Sequence, residues 1–167
     1  MLVVGIDPAS NTVGLAVFDP ESKELFIFKQ LVAKRTDDVH KRIVYLHDEV
    51  SRELMSLDPE EQTYAYIENT VMQGRSGQIL ANATGALMAA VPYWCEYQPI
   101  QNTTMKRLVA GTGKAEKVDV ARGILLWAQG NPETTEKVRA AIQAGCFDQL
   151  DALGIGIAGW MKETGRG

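Results

Sequence analysis

The stretch LVVGIDPASNTVGLAVF, Leu2 to Phe18, decides how this chain folds. Leu2, Val3, Val4 and Ile6 form a short apolar run of the kind found in the middle of a sheet, and the run ends on a carboxylate, Asp7. Pro8, Ala9, Ser10 and Asn11 are turn chemistry, and Thr12 to Phe18 alternates back as a second strand. An unpaired buried carboxylate is expensive, so a strand that delivers one to its carboxyl end needs a compensating partner or a solvent-facing mouth. Two readings of Asp7 are open at this point: an acid that merely starts a hairpin turn, and an acid placed at a site on the sheet edge.

The bulk of the chain narrows the class. With 167 residues, 46% hydrophobic and 23% charged, it is expected to be one soluble globular domain spanning 1–167 with a substantial core. No apolar run approaches the roughly 18 residues of a membrane span, and no signal-peptide pattern opens the chain, so a cytoplasmic protein is expected. Cys95 and Cys146 lack metal-ligand spacing and read as reduced thiols. A net charge of −4 does not advertise a nucleic-acid binder. Between Thr103 and Arg122, however, five basic residues (Lys106, Arg107, Lys114, Lys117, Arg122) face only two acids, Glu116 and Asp119. That segment is either a solvated helix face or a surface for phosphates.

Outward from the first hairpin, Glu24–Leu31 reads as a third strand completing an antiparallel meander. Thr36 to Leu57 reads as a helix capped by Thr36 and stopped by Asp58-Pro59, with Val39, Ile43, Leu46, Val50, Leu54 and Leu57 on one face. A fourth strand, Thr63–Ile67, again terminates on an acid, Glu68. A turn at Gln73–Gly77 leads to a helix from Gln78 to Ala90 rich in Ala and Gly, suited to close packing either between subunits or within one. Tyr93–Gln98 reads as the fifth strand, and Asn102 as the cap of a short helix through Val109. Ala115–Trp127 follows as a helix with Val118, Ala121, Leu125 and Ala128 inward, then a polar helix over Glu133–Ala144. The last helix begins near Phe147; Gly154, Gly156 and Gly159 cost roughly 1 kcal/mol each in a helix interior, so close contact with the sheet is expected there.

This order is mixed α/β. If the first and fourth strands run parallel, Asp7 and Glu68 reach the same sheet edge, the edge at which open α/β sheets bind ligands. Asp148 and Asp151, three residues apart at the start of the last helix, share a face with Cβ atoms roughly 5–6 Å apart. Alone, that pair is explained by the helix N-terminus. Four converging acids repel unless a cation joins them, and hard divalent ions, Mg²⁺ or Mn²⁺, suit an all-oxygen donor set. Two such ions about 3.5–4 Å apart activate water and stabilise the leaving oxygen in phosphodiester hydrolysis. The basic segment would then hold the phosphate backbone.

The segments GIDPASNTVGLAVF, YIENTVMQGRSGQILANATGAL, TTMKRLVAGTGKAEKVDVAR and DQLDALGIGIA, in that order and spacing, resemble the RuvC-type Holliday junction resolvases of the RNase H-like superfamily. The resemblance spans nearly the whole chain. It implies a five-stranded mixed sheet (three antiparallel strands, then two parallel) flanked by helices, a homodimer, and Mg²⁺-dependent paired nicks across a four-way DNA junction. It matches Asp7, Glu68, Asp148 and Asp151 to the catalytic acids, and Lys106 and Lys117 to basic residues supporting DNA binding and catalysis. Arg75, Arg107 and Lys114 join these as candidate DNA contacts, and the small-residue helix after Glu68 corresponds to the family's dimer helix. Three residues after the catalytic Glu, bacterial members carry an aromatic that opens the junction centre; here the position is Val71, followed by Met72. Aliphatic side chains wedge between bases but offer no π-face for stacking. The departure and the compact chain suit a phage or otherwise divergent member, with fork or flap cutting as an alternative specificity.

Two other classes fit less well. A sugar-kinase or actin-type phosphotransferase opens with a similar Gly-Ile-Asp hairpin but needs a second nucleotide-binding half, and Gly111-Thr112-Gly113-Lys114 lacks the earlier glycine of a phosphate loop. A non-cleaving junction-binding protein has no need of acids at all four positions.

Overall fold

The computed structural model describes residues 1–35, 37–69 and 74–165, with the side chains of residues 74–76 outside that description. Strand β1 is Leu2–Pro8, β2 Thr12–Phe18 and β3 Leu25–Val32. Helix α1 is Val39–Leu54, followed by β4 (Thr63–Glu68), α2 (Gly74–Ala90) and β5 (Glu96–Ile100). Four helices close the chain: α3 (Asn102–Ala110), α4 (Lys117–Ala128), α5 (Pro132–Ala144) and α6 (Phe147–Thr164). The five strands lie in the order β3-β2-β1-β4-β5, with β1 antiparallel to β2 and β2 to β3, and with β4 parallel to both β1 and β5. The expected mixed sheet is therefore present. Asp7 and Glu68 both sit at carboxyl ends of the parallel pair.

Strand alternation separates two cores. Val4, Ile6, Val13, Leu15 and Val17 point to one face, where Leu46, Val50 and Leu54 of α1 and Leu87 and Ala90 of α2 cover them. Val3, Ala16, Phe18 and Tyr66 point to the other, against Leu153 and Ile157 of α6 and the helices behind it. Gly5 and Asp7 share the α6 face with Val3, and Glu68 shares it with Tyr66, because residues two apart on a strand project the same way.

Helix α6 lies on the sheet with almost no gap. A side chain at Gly5 would collide with the carbonyl of Ala152, and one at Gly14 with the carbonyl of Asp148. From the helix side, a methyl at Gly156 would strike the Phe18 ring and one at Gly159 the Tyr66 ring. The glycines of the last helix thus do what the sequence leads one to expect, although Gly154 faces Met105 of α3 rather than a strand. Since α6 meets Gly14 at Asp148, Gly5 at Ala152 and Val3 at Gly156, it runs antiparallel to β1. Its N-terminus therefore stands over the edge that carries Asp7.

Several boundaries differ from expectation. Asp38 caps α1, its side chain accepting from the Lys41 N–H; Thr36, the expected cap, lies outside the described residues. The helix ends at Leu54 with Met55 as C-cap, several residues before Asp58-Pro59. α2 begins at Gly74, inside the expected turn. β5 starts three residues late, at Glu96, because Pro92–Cys95 closes a turn through the Cys95 N–H to the Pro92 carbonyl. α4 begins at Lys117 under a capping box of Glu116 and Asp119. Its buried residues are Val120, Ala121, Ile124 and Ala128, whereas Val118 is 62% exposed, so the helix is rotated from the expected face.

Candidate active site

The acids come from two strand ends and one helix beginning. Asp7 leaves β1 and Glu68 leaves β4, on the same face and at neighbouring positions across the parallel pair. The first turns of α6 bring Asp148 and Asp151 onto that edge, since the Asp148 carbonyl rests on Gly14, the direct partner of Asp7 in β2. Burial pushes the Asp7 carboxyl up to about 9, helped by the charges of Glu68, Asp151 and Asp148 and by a side-chain hydrogen bond with Glu68. Burial likewise raises Asp151, against the opposing pull of Lys117, whose Nζ lies 3.4 Å from Asp151 Oδ2. Asp7 thus feels the charges of the other three expected acids, and Asp151 those of Glu68 and Asp148.

Each acid is also compensated separately. Asp7 shares a hydrogen bond with Glu68, and Glu68 Oε1 accepts from Asn102 Nδ2 at 2.9 Å. Asp148 Oδ2 accepts from Thr12 Oγ1 at 2.7 Å and from Gln30 Nε2 at 3.2 Å. Asp151 has Lys117. Among the described residues, no three His, Cys, Asp or Glu side chains stand in an arrangement that would itself hold a metal ion. The donor set is nonetheless one of hard carboxylate oxygens brought to one sheet edge, and that chemistry fits Mg²⁺ or Mn²⁺.

Cationic groups border the acids. Lys117 opens α4, and its ammonium also lies 5.5 Å from the centre of the Phe147 ring. Lys106 is half-buried on α3, one turn beyond Asn102 and on the same helix face. Arg107 and Lys114 are exposed nearby in sequence. Val71 and Met72 lie outside the described residues, as does the side chain of Arg75. A cavity of about 420 Å³ opens beside Glu68, walled by Pro8, Leu80, Asn69, Gln101 and Thr103. A larger one, about 500 Å³ between β3 and α5, touches none of the four acids.

Three polar residues of the site escape sequence reasoning. Asn102 reads as a helix cap, yet Gln101 occupies the cap position and Asn102 turns to Glu68. Thr12 and Gln30 read as ordinary strand residues. Only the register, with Gly14 paired to Asp7 on one side and Gln30 on the other, shows that Gln30 lies on the acid-bearing face.

A five-stranded sheet of this order, with acids meeting at its parallel edge and a glycine-rich helix laid across it, defines an RNase H-like α/β protein. Solved structures agree on the fold. Thermus thermophilus RuvC superimposes with a TM-score of 0.71 at 22% identity, covering 99% of this chain and 97% of that one. The T. thermophilus RuvC in complex with Holliday junction substrate gives 0.70 at 19%, covering 99% and 96%. In sequence, the crossover junction endodeoxyribonuclease RuvC of Rickettsia bellii is 30% identical over 160 residues, 93% of this chain and 94% of the relative. The family model of crossover junction endodeoxyribonuclease RuvC matches residues 3–143, and the chain belongs to the RuvC family. The enzyme class expected from sequence, a magnesium-dependent endodeoxyribonuclease, stands with that membership. The family match ends before Asp148 and Asp151, so their assignment to the site comes from where α6 begins.

Proposed function

We propose that the protein cuts four-way DNA junctions by metal-dependent phosphodiester hydrolysis, as a homodimer that places one nick in each of two opposed strands. The observation that carries this reading is the convergence of four acids on one sheet edge: Asp7 and Glu68 at neighbouring ends of the parallel strands, and Asp148 and Asp151 on the first turns of α6, which rest on Gly14. Asp7, Glu68, Asp148 and Asp151 would hold the metal, in the working enzyme a pair of ions. Mg²⁺ or Mn²⁺ supplies Lewis-acid activation of water and of the scissile phosphate. The four carboxylates would fix that ion at the sheet edge, and Asp7 would have to be ionised to take part. Lys117, paired with Asp151, offers a positive charge where charge develops on that phosphate. Lys106, Arg107 and Lys114, with Arg75, would hold the backbone of the junction arms, a contact that weakens as salt rises.

The dimer reading has support on α2. Ala83, Leu87 and Ala90 are buried against the sheet, while Gln78, Asn82, Gly85 and Ala89 form an exposed stripe on the opposite side. Gly85 has nothing within 4 Å of the place a side chain would occupy. The small exposed pair Gly85 and Ala89 would permit a second copy to approach closely, and two-fold symmetry would then present two sites to opposed strands.

A second specificity, for forks and flaps, rests on Val71 and Met72 standing where an aromatic would otherwise stack on an opened base. Among the described residues no helix is long and apolar enough to cross a membrane; a cytoplasmic, DNA-associated role is part of the same proposal, as is a single nuclease domain over 1–167. The test is incubation of the purified protein with end-labelled synthetic junction, fork, flap and linear duplex in Mg²⁺. Symmetric nicks in the junction support the reading, and preferential cutting of forks or flaps favours the second specificity. Binding without any cleavage would leave a junction-binding protein instead.

A further inference from the structure

The row Asp7–Gly14–Gln30 runs across three adjacent strands on the face that α6 covers. Its centre is bare, and the Asp148 carbonyl occupies the space a side chain at Gly14 would need. The first turn of α6 is therefore seated between Asp7 and Gln30. From that seat the Asp148 side chain meets two donors carried by different strands: Thr12 Oγ1 at 2.7 Å from β2 and Gln30 Nε2 at 3.2 Å from β3. Both donors reach the same oxygen, Oδ2. Oδ1 accepts no hydrogen bond among the described residues.

We propose that Thr12 and Gln30 are positioning residues for Asp148, fixing its carboxylate to the sheet through Oδ2 so that Oδ1 serves the metal; the inference rests on the nuclease reading of the four acids. Among the described residues Asp148 has no lysine of its own, unlike Asp151, and no neighbouring carboxyl sharing a hydrogen bond, unlike Asp7. Its two donors, a hydroxyl and an amide, are neutral and form no ion pair with it. A carboxylate held by one donor can rotate about that contact. Donors from two strands fix its plane as well as its position, which is what an outer shell contributes to a metal site. Neither donor comes from the helix itself, so the clamp couples the ligand to the rigid sheet rather than to a helix end that frays.

The test compares wild type with T12V, T12S, Q30A and T12V/Q30A. Mn²⁺ binding is read from the loss of the free-ion electron paramagnetic resonance signal, and junction cleavage is measured against Mn²⁺ concentration. The double variant is expected to raise both Mn²⁺ midpoints by roughly 10- to 100-fold, the usual consequence of losing outer-shell partners, with junction binding unchanged. T12S, which keeps the hydroxyl, is expected to stay near wild type while T12V does not. Unshifted Mn²⁺ midpoints in the double variant would overturn the proposal, as would T12S being as impaired as T12V. Should the double variant fail to fold, Q30A alone decides, since Gln30 is half-exposed on an edge strand. Wild type that binds Mn²⁺ but cuts no branched DNA would remove the nuclease reading, leaving the Mn²⁺ titrations to decide the clamp. Wild type that binds no Mn²⁺ overturns the clamp.

Discussion

Asn102 Nδ2 donates to Glu68 Oε1 across 2.9 Å, tying the first turn of α3 to the end of β4. The contact follows from sheet pairing: Glu68 stands opposite Ile100, and Asn102 is the second residue beyond that partner. The neutral amide limits the rotation of the Glu68 carboxyl without forming an ion pair with it. Asn102→Ala is expected to lower cleavage about 10- to 100-fold, as loss of a ligand-orienting partner does, with junction affinity unchanged in a gel-shift assay. Asn102→Asp should be worse than Ala, since it sets a like charge against Glu68.

Asp7 makes the stability of the metal-free protein depend on pH in a direction opposite to that of a salt-bridged acid. Its carboxyl is raised from the usual 3.8 to about 9 by burial and by neighbouring acids. The folded state therefore binds the extra proton between those values, and stability falls as pH rises from about 4 towards 9. In chelator, the melting temperature is expected to drop between pH 5 and pH 9. Asp7→Asn, which carries no titrating proton, should flatten that dependence and melt higher than wild type at pH 9. An equally steep fall in the variant would place the pH dependence elsewhere.

The glycines at the sheet–α6 contact are predicted to differ sharply in tolerance. At Gly14 and Gly5 the obstruction is helix backbone, and at Gly159 it is the wedged Tyr66 ring. Alanine at these three positions should cost at least the roughly 1–3 kcal/mol of an overpacked core. At Gly154 the nearest atom is the flexible Met105 Sδ, 3.3 Å away. There the gain in helix propensity, about 1 kcal/mol, offsets the crowding, and chemical denaturation should find Gly154→Ala close to wild type.

The exposed stripe of α2 makes the association state testable. Ala89→Arg places a long cation on the face bearing Gly85 and away from the buried Ala83 and Leu87. The variant is expected to keep its circular dichroism spectrum and to sediment as a monomer where wild type sediments as a dimer. Paired nicks should give way to slow, uncoordinated single ones. A variant that stays dimeric would move the interface off α2.

The parts of the molecule legible in the sequence are those set by local pattern. β2 runs from Thr12 to Phe18 as its alternation indicates, and Asp7 and Glu68 reach one edge because both end apolar runs that belong to parallel strands. The glycines of α6 announce its closeness to the sheet, since nothing else repays their cost in a helix. What was not legible depends on register and rotation. Asn102 has the chemistry of a cap and is used instead as a donor to an acid that lies 34 positions away. Val118 fits a helical apolar face but is left 62% exposed, because the Glu116–Asp119 capping box sets where α4 starts and hence which face turns inward. Gln30 joins the acids only through the pairing of β3 with Gly14, which no local pattern states.

Asp7 is the group on which the catalytic account turns, and its removal is the most direct test. Wild type and Asp7→Asn should be compared on an end-labelled four-way junction, with binding measured in Ca²⁺ and cleavage in Mg²⁺. Equal binding, symmetric nicking by wild type, and loss of at least two orders of magnitude in rate for Asp7→Asn at saturating Mg²⁺ are expected, on the scale by which acid–base and charge-stabilising groups act. Undiminished cleavage by Asp7→Asn would remove Asp7 from the mechanism.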